Sequence, residues 1–170
     1  NSNGWNNTDV TVSFKAEDNL SEIQSLTQPV TLSAEGANQL IKGEAIDYAG
    51  NKANASISLN IDKTPPTLNI TATPNTLWPP NHKLTNVTIG GQTQDSLSGI
   101  ASKVFKVTDE YKTVEPTISD FNTTIKLEAW RNGNDLDGRV YTISVTTKDK
   151  ADNQASASTV VICPHDQGKQ

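Results

Sequence analysis

The amino-acid sequence predicts an all-β chain built from two antiparallel β-sandwiches in tandem. The first observation is an internal repeat: Asp47-Tyr-Ala-Gly-Asn51 returns as Asp149-Lys-Ala-Asp-Asn153, and Asp18-Asn-Leu-Ser21 returns as Asp95-Ser-Leu-Ser98. The second is that apolar residues alternate with Thr, Ser and Asn, which is the pattern of half-buried strands. The third is that no segment has an apolar period of 3.6, so no helix is predicted. Repeated strings of this kind indicate two copies of one structural unit.

The two copies are unequal in length. Between the shared strings the second copy is about 25 residues longer than the first, and this insertion lies between Ile100 and Tyr141. Trp78 follows a strand-like run over residues 66–72, whereas Trp5 follows only residues 1–4, so the first copy is predicted to lack its opening strand. The predicted boundaries are residues 1–63 for the first module, 64–66 for a Pro-rich linker and 67–170 for the second module.

Four strands are predicted in the first module, over residues 9–16, 29–34, 39–46 and 54–61. Each alternates apolar and polar residues and is bounded by Gly, Asn or Pro. The inward-facing side chains of the first and last strands are expected to be Val10, Val12, Phe14 and Ala16, and Ala55, Ile57, Leu59 and Ile61.

The string that begins at Asp47 lies where the last two strands form a hairpin. Asp47 is expected to hold this turn through its side chain, and Gly50 or Asn51 to adopt a positive φ. In the second module, Asn153 is expected to take that conformation.

Seven strands are predicted in the second module, over residues 67–72, 84–91, 102–108, 113–119, 124–130, 140–147 and 155–162. About seven short strands in roughly 100 residues is the number found in an immunoglobulin-like Greek-key sandwich. Residues 131–138 look at first like a cation-binding loop, but Leu136 stands where EF-hand spacing needs an oxygen donor. A hairpin connection through Asp137 and Gly138 is predicted there instead.

Several strings resemble one family of proteins. The Asp47-Tyr-Ala-Gly-Asn51 hairpin, followed by a strand and by Ile61-Asp-Lys-Thr-Pro-Pro-Thr67, resembles the end of the prokaryotic Ig-like repeats of large exported surface proteins. Leu77-Trp-Pro-Pro-Asn-His-Lys83 resembles a longer variant of such modules. The resemblance implies an adhesive role, with neighbouring modules and a cell-surface protein or glycan as partners. Its implied location is extracellular or at the cell surface.

Composition narrows the function classes. The net charge is −5 and no Lys or Arg stripe could follow phosphates, so nucleic acid is not expected as a partner. No apolar run is long enough to span a bilayer. With one Cys and two His, the chain has little from which to build a zinc site or a Ser-His-Asp centre, so no enzyme is predicted. The lone Cys163 is expected to be a small buried apolar residue. Composition, repeat and missing strand together favour a non-catalytic structural spacer of an exported protein.

Acidic side chains are expected to gather at one end of the second sandwich. They come from a loop (Asp95), the final hairpin (Asp149 and Asp152) and the linker (Asp62), and Asp18 and Asp47 are the equivalent pair in the first module. Calcium takes six to eight oxygen ligands and can stiffen a joint, which makes Ca²⁺ the candidate cofactor. The alternative is that these carboxylates hold their turns without a metal.

Two further clusters are predicted in the second module. His82, His165 and Asp166 are expected to converge, either as ligands of a transition metal or as hydrogen-bonded packing. Trp130, with Tyr111 or Tyr141 nearby, is a candidate platform for a sugar ring, and the alternative for each ring is core packing. An accessory carbohydrate-binding module of a secreted hydrolase is therefore the alternative function.

Overall fold

A computed structural model of the chain describes residues 1–112 and 116–166, and this part contains eleven β-strands and no helix. None of its segments is therefore a helix long and apolar enough to cross a membrane. All ladders between the strands are antiparallel, which confirms the predicted all-β class. The chain divides into two compact units. Unit 1 comprises Asn1–Thr64, Ser96–Ser98 and Lys150–Asn153, and unit 2 comprises Pro65–Asp95, Gly99–Asp149 and Gln154–Gln170.

Unit 1 contains five strands in two sheets. In chain order they are β1 (Val10–Val12), β2 (Ile23–Leu26), β3 (Val30–Leu32), β4 (Gly36–Asp47) and β5 (Lys52–Ile61). One sheet pairs β1 with β3, and the other has the order β2-β4-β5. The segment before β1 adds a parallel bridge between Asn6 and Ile61 at the end of β5. Strand β2 was not predicted, because its sequence Ile-Gln-Ser-Leu is too short to show an alternation.

The side chains on the inner face of β4 are buried, but those of the neighbouring strand β5 on the same face are largely exposed. Ile41, Gly43 and Ala45 are buried, and their cross-strand partners are Ile57, Ala55 and Ala53. Residues directly opposite each other in a ladder share one face of the sheet. Ile57 is nevertheless 44% exposed.

Ala55 and Ile57 thus lie on the predicted inner face, opposite Gly43 and Ile41, but both remain exposed, whereas Ile61 is buried and Leu59 half-buried. The physical reason is that alternation determines the face on which a side chain lies and does not supply the layer that covers it. The second sheet of unit 1 consists, in the described residues, of two strands of three residues each.

The described residues of unit 2 form six strands in two sheets. They are β6 (Thr67–Thr73), β7 (Leu84–Gln94), β8 (Ile100–Asp109), β9 (Thr123–Glu128), β10 (Arg139–Asp149) and β11 (Gln154–Cys163). One sheet has the order β6-β7-β9 and the other β11-β10-β8. A parallel bridge joins Thr76, just after β6, to Ile162 near the end of β11.

Both sheets of unit 2 contribute to one hydrophobic core, which makes this unit a β-sandwich. The first sheet supplies Ala72, Val87, Ile89, Ile125 and Leu127, and the second supplies Val107, Tyr141, Ile143, Val161 and Cys163. Cys163 is fully buried, as predicted, and burial raises the pKa of its thiol.

The insertion contains neither a strand over residues 116–119 nor a hairpin at Asp137 and Gly138. Residues 113–115 of the predicted strand 113–119 are not described, and residues 116–119 belong to no strand. The predicted hairpin at Asp137 and Gly138 is wrong, because β9 pairs with β7 whereas β10 pairs with β8 and β11. Residues 129–138 thus connect one sheet to the other. A local hydrogen bond from Gly138 N to Asp135 Oδ1 (2.9 Å) closes this loop.

The two repeated hairpin turns use the same position for a left-handed residue. Gly50 has φ 88° in the first turn, and Asp152, at the same place in the repeat, has φ 75° in the second. The prediction that Asn153 takes this role is wrong. Asp tolerates the left-handed region because its short side chain can hydrogen-bond locally.

Candidate functional site

The loop between β1 and β2 in unit 1 is organised by one carboxylate. Asp18 Oδ1 accepts hydrogen bonds from the backbone N–H groups of Leu20 (3.0 Å), Ser21 (2.6 Å) and Glu22 (3.0 Å). This is the geometry in which an Asp side chain caps a turn by satisfying several backbone donors. Glu22 takes a positive φ of 59° within the loop.

The hairpin between β4 and β5 is organised by a second carboxylate, that of Asp47. Its Oδ1 accepts from Asn51 N (2.7 Å), and its Oδ2 accepts from Asn51 Nδ2 (2.7 Å) and from Ser21 Oγ (2.8 Å). The Ser21 hydroxyl also lies 3.2 Å from Asp18 Oδ1 and so connects the two carboxylates. The prediction that Asp47 holds its turn through its side chain is confirmed.

Hydrogen bonds lower the pKa of both carboxyl groups. For Asp18 the main cause is the backbone N–H of Ser21, followed by that of Leu20. For Asp47 it is the side-chain amide of Asn51. In each case the pKa falls below the ordinary value of 3.8 because the donors stabilise the charged form.

This pKa shift implies that unit 1 loses stability in acid. A carboxyl whose pKa is lower in the folded state contributes stability above its unfolded pKa and loses that contribution as the pH falls through the folded pKa. We expect Asp47→Asn and Asn51→Ala to lower the free energy of unfolding of unit 1 at pH 7. Both effects are expected to shrink as the pH falls below about 4. Urea unfolding followed through NMR signals of unit 1 residues measures them, and losses that stay the same at pH 7 and pH 3 would contradict this account.

Unit 2 repeats this pair with Asp95 and Asp149. Asp95 Oδ1 accepts from Gly99 N (2.6 Å), closing the loop before β8. Asp149 ends β10 and is fully buried. Each side chain offers a carboxylate oxygen, and these oxygens lie within 4.8 Å of each other. Within unit 2, the structure therefore brings together Asp95 and Asp149 of the residues predicted to bind calcium.

The other two predicted ligands, Asp62 and Asp152, belong to unit 1. Asp62 is fully buried. Its Oδ2 accepts from Ser98 N (3.0 Å), and its backbone oxygen accepts from Asn153 Nδ2 (2.8 Å). Asp152 Oδ2 accepts from Asn1 Nδ2 (2.7 Å).

Hydrogen bonds from backbone or side-chain donors of the protein reach most of these carboxylates, namely those of Asp18, Asp47, Asp62, Asp95 and Asp152. These contacts agree with the alternative interpretation, in which the carboxylates hold their turns without a metal. Two close carboxylates such as those of Asp95 and Asp149 are also chemically suited to a hard cation. Calcium binding at Asp62, Asp95, Asp149 and Asp152 remains a prediction.

A cationic side chain in the interior of unit 2 was missed by the sequence reasoning. Arg139 opens β10 and is 2% exposed. Its Nε donates to Asp109 Oδ2 (2.8 Å), and Nη2 contacts the same oxygen. Glu128 Oε2 lies 3.8 Å from Nη1. The available signal was the inward register of β10, in which Arg139 occupies the same face as Tyr141, Ile143 and Val145.

Three aromatic rings surround the Arg139 guanidinium. Its Cζ lies 4.5 Å from the ring centre of Tyr141, 5.0 Å from that of Tyr111 and 5.5 Å from that of Trp130. These are the three rings of the predicted sugar platform. Tyr141 is buried and donates its hydroxyl to Glu128 O (2.9 Å), and the Tyr111 hydroxyl donates to Asp135. The three rings thus pack around the Arg139 guanidinium through cation–π contacts. This agrees with the alternative interpretation, in which each ring packs in the core and does not bind a sugar.

The two histidines contact different carboxylates. His82 Nδ1 lies 3.1 Å from Glu128 Oε1, and its ring stacks on Trp130 at 5.4 Å between centres. His165 Nδ1 lies 3.8 Å from Asp166 Oδ2. Among residues 1–112 and 116–166, no group of three close His, Cys, Asp or Glu ligand atoms includes either histidine. The metal site proposed for His82, His165 and Asp166 remains a prediction, and the hydrogen-bonded contacts of His82 support its alternative.

No model of a protein family matches this chain, and no curated protein matches it.

Proposed function

We propose that this chain is a pair of immunoglobulin-like modules of an exported or cell-surface protein, acting as a non-catalytic mechanical spacer. Its partners would be the neighbouring modules and a cell-surface protein or glycan. The observation that carries the proposal is the same in both units: an early segment pairs in parallel with the last strand. This early segment is the stretch around Asn6 in unit 1 and the stretch around Thr76, just after β6, in unit 2.

In unit 1 this parallel pairing has two backbone hydrogen bonds. Asn6 N donates to Asn60 O (3.0 Å), and Asp62 N donates to Asn6 O (2.9 Å). In unit 2, Leu77 N donates to Ile162 O (2.8 Å), and Ile162 N donates to Asn75 O (2.9 Å).

Parallel pairing of an early segment with the last strand suits a module that carries tension. Two parallel strands run in the same direction, so the chain enters the early segment and leaves the last strand at opposite ends of the pair. Tension along the chain then loads these hydrogen bonds along the strands, and they must break together. Opening under force is governed by the unfolding rate, and each hydrogen bond that must break raises its barrier.

Strand order supports the immunoglobulin-like part of the proposal. In unit 2 the sheets β6-β7-β9 and β11-β10-β8 place consecutive strands β7 and β8 in different sheets, as a Greek key does. Unit 1 has the same arrangement, because β1-β3 and β2-β4-β5 correspond to β7-β9 and β8-β10-β11. The repeated Asp18 and Asp95 loops lie at the same place in this order.

Pulling single molecules by their two ends tests the spacer function. We expect two separate opening events, which release roughly 190 Å of chain for residues 6–61 and roughly 300 Å for residues 76–162. Asn6→Pro removes both Asn6 donors to Asn60 O, the backbone N–H (3.0 Å) and the side-chain Nδ2 (3.1 Å), because proline has neither group. Loss of these two hydrogen bonds, at about 1 kcal/mol each, should raise the opening rate of unit 1 about thirtyfold.

Two controls belong to this experiment. The opening event of unit 2 in the same molecules should not change, and Asn7→Pro, next to the bridge, should leave the rate of unit 1 within about twofold of the original. Gradual extension without separate events, or an Asn6→Pro protein that opens at the original rate, would contradict the mechanical role.

A further inference from the structure

Strand β1 of unit 1 is much shorter than its counterpart in unit 2. Val10 and Val12 of β1 correspond in the repeat to Val87 and Ile89 of β7. Yet β1 has three residues and β7 has eleven. Beyond Val12, residues 13–17 belong to no strand, although their burial still alternates between exposed and half-buried as in a strand.

In unit 2 the corresponding stretch is paired with β6. The β6-β7 ladder runs from Thr67 opposite Gln94 to Thr73 opposite Thr88. Because Asp18 and Asp95 are the same position in the repeat, Thr88 corresponds to Thr11 and Gln94 to Glu17. Strand β6 therefore pairs along the part of unit 2 that matches residues 11–17 of unit 1. Within the described residues, unit 1 has no strand in that place.

Strand β6 also lies against β11, the last strand of unit 2. Since Asp47 and Asp149 are equivalent, Ala55 corresponds to Ala157 and Ile57 to Thr159. Ala157 and Thr159 are half-buried, whereas Ala55 and Ile57 are exposed. The larger and more apolar side chain is thus the one left in water, opposite to what the hydrophobic effect favours.

A surface hollow, an open pocket of about 200 Å³, lies in unit 1 beside Ala55. Its walls include Phe14 and Ala16 on one side and Ala53 and Ala55 on the other. The hollow therefore lies between the unpaired stretch 13–17 and the exposed inner face of β5.

We propose that unit 1 accepts an extended peptide strand along residues 11–17, in the place that β6 occupies in unit 2. The peptide adds a strand to the free edge of β1 and covers Ala55 and Ile57. Main-chain hydrogen bonds supply part of the affinity, and the burial of alternate side chains supplies specificity.

The chemistry of the partner follows from β6, which is seated on the equivalent surface. Its inward side chains are Leu68, Ile70 and Ala72, and its outward ones are Thr and Asn. The partner is therefore an uncharged extended segment with apolar residues at every second position and a small residue at the last of them. Such an edge with exposed apolar residues beside it is a template for strand addition.

A synthetic peptide of residues 66–73 added to the whole ¹⁵N-labelled chain tests this proposal. We expect saturable NMR shifts confined to residues 11–17 and 53–59, with an affinity measurable by calorimetry. A peptide in which Leu68 and Ile70 are replaced by Ser should bind at least tenfold more weakly. This peptide control separates strand addition with apolar burial from nonspecific contact.

Ile57→Lys places a charge where the peptide would bury apolar surface and should weaken binding at least tenfold. Val160→Lys is the matched control, because Val160 is also 44% exposed but lies on the outer face of β11 in unit 2. It should leave the affinity within about twofold. If Ile57→Lys proves to be unfolded by its NMR spectrum, Ala55→Lys replaces it with the same expectation.

Three outcomes would overturn the proposal. One is no shift at millimolar peptide. Another is a set of shifts centred on β6 and β11, which would mean that the peptide exchanges with β6 of unit 2. The third is concentration-dependent sedimentation of the chain alone, with shifts at residues 11–17, because the edge would then pair with a second copy.

Discussion

Asp109→Asn is expected to lower the free energy of unfolding of unit 2 by about 3 kcal/mol. The Asp109 carboxylate accepts from Nε and Nη2 of Arg139, and both side chains are at most 2% exposed. Removing one partner of a buried ion pair leaves the other charge in a medium that solvates it poorly, which typically costs 3–5 kcal/mol. We place the loss at the lower end because Glu128 lies 3.8 Å from Nη1 and supplies a second carboxylate.

A matched control uses the same chemical change at the surface of unit 2. Asp120 pairs with Lys103 Nζ at 2.5 Å, but its side chain is 56% exposed. Exposed ion pairs contribute little to stability, so Asp120→Asn should destabilise unit 2 far less than Asp109→Asn does. Urea unfolding followed through NMR signals of unit 2 residues measures both variants. Equal losses for the two variants would show that Arg139 does not depend on Asp109.

Ile143→Ala is expected to destabilise unit 2 by about 2–5 kcal/mol. Ile143 lies at the centre of β10, is fully buried and belongs to the core formed by both sheets. Truncation removes buried methyl groups and leaves a cavity that close-packed neighbours fill only in part. For a domain of this size, each 1 kcal/mol lowers the melting temperature by about 4–8 °C, so calorimetry resolves the change.

Ile57→Ala in unit 1 is the comparison for this substitution. Ile57 lies on the inner face of its sheet, opposite Ile41, but is 44% exposed. We expect a loss below about 1 kcal/mol, because much of the side chain is already in water. A loss as large as that of Ile143→Ala would mean that Ile57 is covered in solution.

The roles of the turn carboxylates could be predicted from the sequence because their hydrogen bonds are local. Asp18 caps backbone groups two to four residues away, and Asp47 holds Asn51 within the same hairpin. Short-range hydrogen bonds of this kind depend on spacing along the chain, and the spacing recurs in both copies. Even there the sequence reasoning chose Asn153 where the structure uses Asp152, since both residue types tolerate a positive φ.

The cluster of Asp109 and three aromatic rings around Arg139 could not be predicted from the sequence. Asp109 and Arg139 are far apart in sequence and meet because β8 and β10 pair with Asp109 opposite Tyr141. An Arg at the start of a strand is ordinarily solvent-exposed, and alternation alone does not distinguish an inward Arg from a surface one. The three rings around it come from Tyr111, Trp130 and Tyr141, on separate segments.

The sequence by itself determined the all-β class, most of the strands and the two repeated turns, because strand alternation and turn chemistry act over a few residues. Only the tertiary structure decided which inward-facing residues are covered and which charges are held inside. Burial requires a second layer supplied by distant residues: β6 covers β11 in unit 2, whereas Ile57 in unit 1 remains exposed.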